Sequence, residues 1–170
     1  MTPEHFIQKW KQSTLKERSA SQSHFNDLCD LLDTPKPTDV DPDGSWFTFE
    51  KGAKKTGGGD GWADVWKQDC FGWEYKGKKK DLNVALRQLQ QYAIALDNPP
   101  LLIVSDMDKI IIHTNFTNTI SEIHTINIDD LIHADARNKL KAGFENPDIL
   151  KPTVTRDAIT DNAAKPFAEL

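Results

Sequence analysis

Cysteine is scarce in this sequence, which contains only Cys29 and Cys70. Two cysteines supply neither a disulfide framework nor the ligand set of a zinc knuckle. Long apolar runs are also missing, because no stretch approaches the roughly 18–20 residues that span a bilayer. The first residues, MTPEHFIQKWKQSTLKERS, are polar and charged, unlike a secretory signal. The sequence therefore predicts a cytoplasmic protein that has no membrane partner.

An excess of positive charge is absent as well. The chain has 21 basic and 26 acidic residues and a net charge of −5, which argues against a protein that coats nucleic acid through bulk charge. The lysines are unevenly distributed, since residues 51–80 contain eight lysines and four acids. Such a strip fits a phosphate backbone, with Lys78 and Lys79 as substrate-binding candidates, and it is equally typical of a solvated surface.

The spacing of apolar residues predicts an α/β fold. The segment 25–32 carries apolar side chains at i, i+3, i+4 and i+7, the stripe of an amphipathic helix. Five short segments predict strands, in the order WFTFEKG, WADVWK, FGWEYKG, LLIVSD and KIIIHTNF. A helix predicted over residues 82–96 separates the third strand from the fourth and would join them in parallel. We expect a central mixed β-sheet flanked by helices, with a further helix over residues 129–143.

Three charged residues on two neighbouring strands carry the candidate chemistry. Alternate side chains of a strand face the same way, so Glu74 and Lys76 point together. A tight hairpin brings Asp64 beside them, on the side of Trp62 and Trp66. Two adjacent carboxylates repel each other unless a cation lies between them, and oxygen ligands suit Mg²⁺ or Mn²⁺. The set forms a minimal device for hydrolysing a phosphodiester, whereas an exposed charge pair across a hairpin is the alternative interpretation.

The spacing of these residues resembles a known nuclease motif. Asp64, nine intervening residues and then Glu74-Tyr75-Lys76 are similar to the PD-(D/E)xK motif, with Ala63 in place of its proline. A short motif of this kind is weakly specific by itself, and the helix that follows adds to it.

That helix carries QLQQY, in which Gln88 and Tyr92 lie at i and i+4 on one face. The segment resembles the Q-h-x-x-Y signature of RecB-like nucleases, which implies that both residues brace the site or contact phosphate. The segments ERSASQSHFNDLCDLL, GWADVWK, FGWEYKG and LRQLQQYAIALDNPPLLIVSDMDKIIIHTNF together resemble the N-terminal region of MmeI-like (type IIG/IIL) restriction–modification proteins. The resemblance covers roughly residues 10–130.

The resemblance implies a role for each residue of the motif. Asp64 and Glu74 would hold Mg²⁺, with Mn²⁺ as an alternative, and Lys76 would position the attacking water. Many nucleases of this kind add a glutamate from the first helix, and Glu17 is the candidate here. The segment TLKE, from Thr14 to Glu17, also fits a capping box that starts a helix, so Glu17 has two interpretations.

In MmeI-like proteins one polypeptide carries a nuclease domain ahead of an adenine-N6 DNA methyltransferase. The resemblance therefore implies an endonuclease-like domain of the PD-(D/E)xK fold over residues 1–145. Residues 146–170 would form a linker and the start of a helical segment that leads to a downstream methyltransferase. S-adenosylmethionine and target recognition would belong to the downstream domains. The implied activity is a Mg²⁺-dependent, type II restriction-like deoxyribonuclease acting on double-stranded DNA.

Two other functions remain open at this point. A domain of this fold can serve as a catalytically silent DNA-docking or interaction module, and the same metal chemistry suits a phosphoesterase acting on RNA or nucleotides. The segment GAKKTGGGD does not indicate ATP chemistry, because Gly57 is followed by Gly58, Gly59 and a strand, where a P-loop requires Lys-Ser/Thr and a helix. We expect these glycines to form a flexible loop near the site.

Overall fold

The computed structural model of the chain describes residues 1–168. The strands are β1 (Phe47–Lys54), β2 (Asp60–Lys67), β3 (Phe71–Tyr75), β4 (Leu101–Ser105), β5 (Lys109–Thr114) and β6 (Ile123–Asn127). The helices are α1 (Pro3–Gln12), α2 (Glu17–Leu32), α3 (Pro37–Val40), α4 (Leu82–Tyr92), α5 (Ala134–Glu145) and α6 (Arg156–Ala168). Two 3₁₀ turns, Ile128–Ile132 and Pro147–Leu150, flank α5.

The six strands form one mixed sheet in the order β1-β2-β3-β4-β5-β6. β3 and β4 are parallel, and every other neighbouring pair is antiparallel. Helix α4 makes the crossover between the parallel strands, which cannot be joined by a tight turn. The predicted α/β fold with a central mixed sheet and flanking helices is confirmed.

Local sequence signals set the ends of several helices. α1 begins at Pro3, and the hydroxyl of Thr2 accepts a hydrogen bond from the backbone N–H of His5 at 3.3 Å. α4 begins after Asp81, whose carboxylate accepts from the N–H of Asn83 at 2.9 Å. Such side chains satisfy backbone donors that a first helical turn leaves without partners.

The sheet has a hydrophobic core on each face. On one face, α1, α2 and α5 cover the sheet, and the Phe25 ring lies 5.3 Å from Trp73 and 5.4 Å from Phe144 between ring centroids. On the other face, Leu89 and Tyr92 of α4 pack against β2, β3 and β4. Burying each large apolar side chain contributes about 1.5–3 kcal/mol. The two cores hold the strands in place from both sides.

The helix predicted over residues 129–143 is divided in two. Asn127 and Asp130 form a capping box that starts the 3₁₀ turn, and His133 is extended, with φ −91° and ψ 135°. Arg137 donates to the carbonyls of Leu131 and Ile132, both at 2.8 Å. A side chain thus satisfies carbonyls that a continuous helix would have paired internally. The helix predicted over residues 82–96 likewise ends early, at Tyr92, and continues as turns.

The segment after residue 145, predicted to be a linker, packs on the domain before the last helix begins. Pro147 and Leu150 are buried, and Leu150 belongs to the larger core. Thr155 bridges Thr119, and α6 follows at Arg156. Helix α6 extends to residue 168, and residues 169–170 lie outside the described part. The boundary at residue 145 stays a prediction.

Among residues 1–168, none of the helices combines the length and the apolar character that crossing a bilayer would require.

Gly61 in β2 lies under the ring of Tyr92, and a Cβ atom built there would overlap that ring. We expect Gly61→Ala to lower the free energy of unfolding by about 1–3 kcal/mol, the usual cost of overpacking a core. Gly52→Ala on the neighbouring strand is the control, because its Cβ would lie 3.7 Å from Trp62 Nε1, an ordinary contact. Urea denaturation of both variants checks this, and equal losses would contradict it.

Candidate active site

The β2–β3 ladder ends where the two acids of the motif begin. Val65 pairs with Trp73 as the last regular pair, and the next positions along the two strands are Asp64 and Glu74. The backbone N–H of Tyr75 donates to Asp64 Oδ2 at 2.7 Å. A side-chain carboxylate therefore takes the place of a ladder acceptor, and the two strands separate at the acids.

β2 is also irregular on its other side. Phe49 pairs with Val65 and Lys51 with Ala63, so the register places Glu50 opposite Asp64, and Glu50 has a left-handed φ of 50°. Irregular positions of this kind change the direction in which the side chains of a strand point.

The irregular course of β2 contradicts one prediction made from the sequence. Trp66 packs in the core under α4, and its Nε1–H donates to the Leu96 carbonyl at 3.0 Å. Asp64 and Trp62 instead line a cavity together with residues of α2. The prediction that Asp64 shares a side with Trp66 is wrong, because simple alternation does not hold through Asp64 and Val65.

Glu74 is the most buried of the acidic residues at this site. Its side chain is only 8% exposed, and its Oε1 lies 3.4 Å from Lys76 Nζ. Its Oε2 is buried and has no hydrogen-bond partner within the described residues. Trp73 and Tyr75 are fully buried on the opposite face. The predicted orientation of Glu74 with Lys76, opposite the aromatic residues, therefore matches the structure.

Burial and like charge act together on the two acids. Burial, followed by the charge of Asp64, raises the pKa of Glu74 to about 8. Burial also raises the pKa of Asp64, and Glu17 and Glu50 add to the effect, while the Tyr75 N–H opposes it. Desolvation and neighbouring negative charge both disfavour a second carboxylate. The charge of Lys76 opposes the increase in both pKa values but does not cancel it.

Glu17 reaches towards the same place from α2. It is the first residue of that helix, and its Oε2 accepts a hydrogen bond from the Gly77 N–H at 2.6 Å. The N-cap position of α2 is Lys16, whose side chain makes no cap bond to any described residue. The capping-box interpretation is wrong, because the Glu17 carboxylate bonds the residue after Lys76 and not its own helix. The catalytic role of Glu17 stays a prediction.

Gln88 and Tyr92 lie behind the site on α4. Tyr92 is buried, with 2% of its surface exposed, and its ring packs on Gly61 of β2. Gln88 is half-buried, and its Oε1 has no hydrogen-bond partner in the described chain. This placement fits the bracing role more than phosphate contact for Tyr92.

The two lysines predicted to bind substrate, Lys78 and Lys79, are placed differently. Lys78 Nζ donates to the Trp10 carbonyl at 2.9 Å and lies 3.3 Å from Asp108 Oδ1, so that it ties the end of α1 to the β4–β5 turn. Lys79 is exposed, with a left-handed φ of 64°. Lys78 thus has a structural use that the sequence did not indicate, and the substrate-binding role of both stays a prediction.

A cavity of about 500 Å³ lies in front of Asp64. Charged, polar and aromatic side chains from α2, β1 and β2 line it: Glu17, Arg18, Ser21, Gln22, Glu50, Trp62 and Asp64. Sequence reasoning missed Glu50 as part of this site. Its one signal is an acid inside the otherwise apolar and basic segment WFTFEKG.

The donor set fits a hard divalent cation. Two carboxylates with raised pKa values and a buried, unpartnered Oε2 on Glu74 within residues 1–168 present oxygen ligands, which Mg²⁺ prefers. No cluster of three or more His, Cys, Asp or Glu side chains in those residues could hold a metal. Magnesium commonly binds through one or two carboxylates and keeps several waters. Asp64 and Glu74 would therefore supply the protein ligands.

The architecture is that of the restriction-endonuclease-like class of α/β folds. A chain of a DrdV–DNA complex solved by cryo-electron microscopy matches this structure with a TM-score of 0.53 and 18% sequence identity. The match covers 84% of this chain and 13% of that chain, so this chain spans a small part of the length of its structural neighbour. At this identity the likeness shows the fold alone. No family model matches the sequence, and no curated protein matches it either.

Glu74 generates a pH-dependence of stability in the metal-free protein. Its folded pKa of about 8 lies above the usual 4.5, so its contribution is complete below about pH 4.5 and is lost as the pH rises towards 8. We expect Glu74→Gln to raise the free energy of unfolding by about 2–4 kcal/mol near pH 9, at about 1.4 kcal/mol per pKa unit. The gain should vanish near pH 4.

Chemical denaturation in EDTA across this pH range measures the effect. Glu50→Gln removes an exposed carboxylate from the cavity that Asp64 lines and is the matched control. If both variants changed the pH profile equally, burial of Glu74 would not be its cause.

Proposed function

We propose that this domain is a Mg²⁺-dependent DNA endonuclease. Its active site, formed by Asp64, Glu74 and Lys76, would hydrolyse DNA phosphodiesters. The observation that carries the proposal is the pairing of a buried carboxylate, Glu74, with a half-buried one, Asp64, beside the Lys76 ammonium group, which lies 3.4 Å from Glu74 Oε1. Acidic groups with perturbed pKa values cluster at functional sites, and a cation bound between two such carboxylates would relieve their repulsion. The neighbour's fold supports the choice, since that protein was captured with DNA.

Each residue then has a task in the proposed reaction. The metal, when bound, supplies a Lewis acid that stabilises negative charge developing on the phosphoryl group. Asp64 and Glu74 would hold it, and the Tyr75 N–H keeps Asp64 in position at 2.7 Å. Lys76 lies beside Glu74 and can donate to the attacking water or to a phosphate oxygen. The water oxygen bonds to phosphorus as the P–O3′ bond breaks. The water gives up a proton to solvent and O3′ takes one up from solvent, which leaves a 5′-phosphate and a 3′-hydroxyl.

Glu17 supports Lys76 in this proposal. Its bond to the Gly77 N–H fixes the backbone directly after Lys76, so that the ammonium group is held near the acids. Glu17 also lines the cavity together with Asp64, and its negative charge helps to raise the pKa of Asp64.

We further propose that the domain belongs to a fused restriction–modification protein of the MmeI-like type. The segment resemblance supports this, as does the small share of the neighbouring chain that the match covers. S-adenosylmethionine binding and target recognition would then lie in regions that follow this domain. Reading the gene beyond codon 170 tests the proposal. A glycine-rich cofactor motif and an Asn-Pro-Pro-Tyr segment are expected, and a stop codon at that point would reject it.

Nicking of supercoiled plasmid by the full-length protein in Mg²⁺ tests the site. We expect Asp64→Asn and Lys76→Ala each to reduce the nicking rate at least about 100-fold, the usual effect of removing a group that stabilises transition-state charge. Asp69→Asn, an exposed acid on the β2–β3 turn with a left-handed φ of 60°, is the control and should cut like the wild type. Equal activity of all four proteins would exclude this site.

The same assay separates the alternatives. A silent docking module would bind DNA without nicking it in any variant. A phosphoesterase specific for RNA or nucleotides would degrade those substrates in matched Mg²⁺ and leave the plasmid intact.

Metal binding should be visible without turnover. Because Mg²⁺ must displace the proton that the raised pKa keeps on Glu74, we expect Mg²⁺ to raise the Tm more near pH 8 than near pH 6. Asp64→Asn should abolish the increase, and Asp69→Asn should keep it. An equal increase in Asp64→Asn would show that the ion binds elsewhere.

A further inference from the structure

The β1–β2 hairpin carries charge that the proposed chemistry does not use. Residues 51–59 include Lys51, Lys54 and Lys55 and contain no acid. The three glycines at the tip, 57–59, have φ values of 97°, 101° and 92°, and a Cβ added to any of them would meet no described atom within 4 Å. The tip is therefore an open surface of backbone and lysine in a protein whose net charge is −5.

This tip is a formed turn and not a loose loop. The N–H of Lys55 donates to the Gly59 carbonyl at 2.9 Å, and the N–H of Thr56 donates to the Gln91 carbonyl at 2.9 Å. Lys55 Nζ also lies 5.9 Å from the centre of the Tyr92 ring. The end of α4 thus anchors the tip, and the lysines keep a defined position relative to the active site.

Trp62 occupies the stretch between this tip and the acids. Its side chain is 60% exposed, although Trp66 on the same strand is buried. It lies two residues from Asp64 and lines the same cavity, and it also lines a groove with Lys54 and Asp60. An exposed indole that joins a lysine-bearing groove to a catalytic cavity offers a stacking surface next to phosphate-binding charges.

We propose that the β1–β2 hairpin is a DNA-contact arm, in which Lys54 and Lys55 bind phosphates and Trp62 packs against the sugar or base beside the cleaved phosphate. The inference rests on the proposed nuclease function, which places the scissile phosphate at Asp64. Lys54 pairs with Asp60, four residues from Asp64, which is about 13 Å along a strand. At about 3.4 Å per base pair, this distance spans about four steps of a duplex.

Binding of a short duplex oligonucleotide in EDTA, where cutting is prevented, tests the arm. We expect Trp62→Leu to weaken affinity about tenfold, the usual effect of losing an aromatic stack on a nucleotide. Trp46→Leu is the matched control, because Trp46 is a 37% exposed tryptophan at the opposite end of the same hairpin. Its affinity should equal that of the wild type. Wild-type affinity in Trp62→Leu, or equal weakening in both variants, would overturn the arm.

The lysines are tested by the salt dependence of the same binding. Lys54→Ala/Lys55→Ala should reduce the slope of log affinity against log salt by about 2, since each lost phosphate contact removes about 0.9. Lys139→Ala/Lys151→Ala removes two exposed lysines near the opposite edge of the sheet and should leave the slope unchanged. An unchanged slope in the hairpin variant, or stronger binding to an RNA duplex of the same sequence, would overturn the proposal.

Failure of the arm and failure of the nuclease are distinguishable. Trp62-dependent binding by a protein that never nicks DNA in Mg²⁺ would reject the nuclease and support the arm. Nicking that needs Asp64 but is unchanged in Trp62→Leu would overturn the arm alone. Because Trp62 is exposed, we expect Trp62→Leu to keep the fold, and a comparison of its Tm with that of the wild type checks this.

Discussion

The carboxylates of Asp64 and Glu74 lie where β2 and β3 separate, and the repulsion between them determines the electrostatics of the site. Glu74 is held in place by the strand that carries it, and Asp64 is held by the Tyr75 N–H at 2.7 Å. Glu74 is shielded from solvent, because the flanking strand positions are packed into cores on both faces, whereas Asp64 is half-buried and lines the cavity. The mutual repulsion persists in the folded protein, and a proton on Glu74 or a bound cation relieves it.

Tyr75 connects this site to the packing of the helices. Its backbone N–H binds Asp64, and its hydroxyl lies 2.9 Å from His24 Nδ1 in the core under α1 and α2. Burial, with the charges of Lys78 and Lys9, lowers the pKa of His24 to about 3, so the ring stays neutral. His24 is therefore a packing residue, in line with the commoner role of a histidine on a helix. A displacement of α2 would be transmitted through Tyr75 and Glu17 to the acids.

Much of the architecture was predictable because the hydrophobic pattern of each element is local. Five of the six strands and the crossover helix followed from apolar spacing, whereas β6 (Ile123–Asn127) was not predicted. The tight β2–β3 turn followed from the short distance between two predicted strands. The division of the segment 129–143 was not predictable in this way. It depends on a capping box at Asn127 and on carbonyls bonded by Arg137 from the next helix. The pattern of charged residues in this segment fits one continuous helix as well as it fits a 3₁₀ turn followed by a helix.

The candidate site shows the same limit. In the sequence, Glu17 fits a capping box. Only the packing of α2 over the end of β3 brings its carboxylate to the Gly77 N–H. Lys78 belongs to a lysine run in sequence, yet in the fold it pairs with Asp108 and the end of α1. Glu50 gave little sign of its place opposite Asp64, because the irregularity in β1 and β2 is set by pairing between strands.

The amino-acid sequence by itself determined which residues alternate along a strand, and so it set Glu74 and Lys76 on one face with two aromatic residues on the other. It also determined the sign and clustering of charge along the chain. Only the tertiary structure decided that Asp64 leaves the side of Trp66, that Glu17 joins the site and that Trp62 stays exposed. These outcomes depend on contacts between segments far apart in sequence, and local propensities carry no information about such contacts.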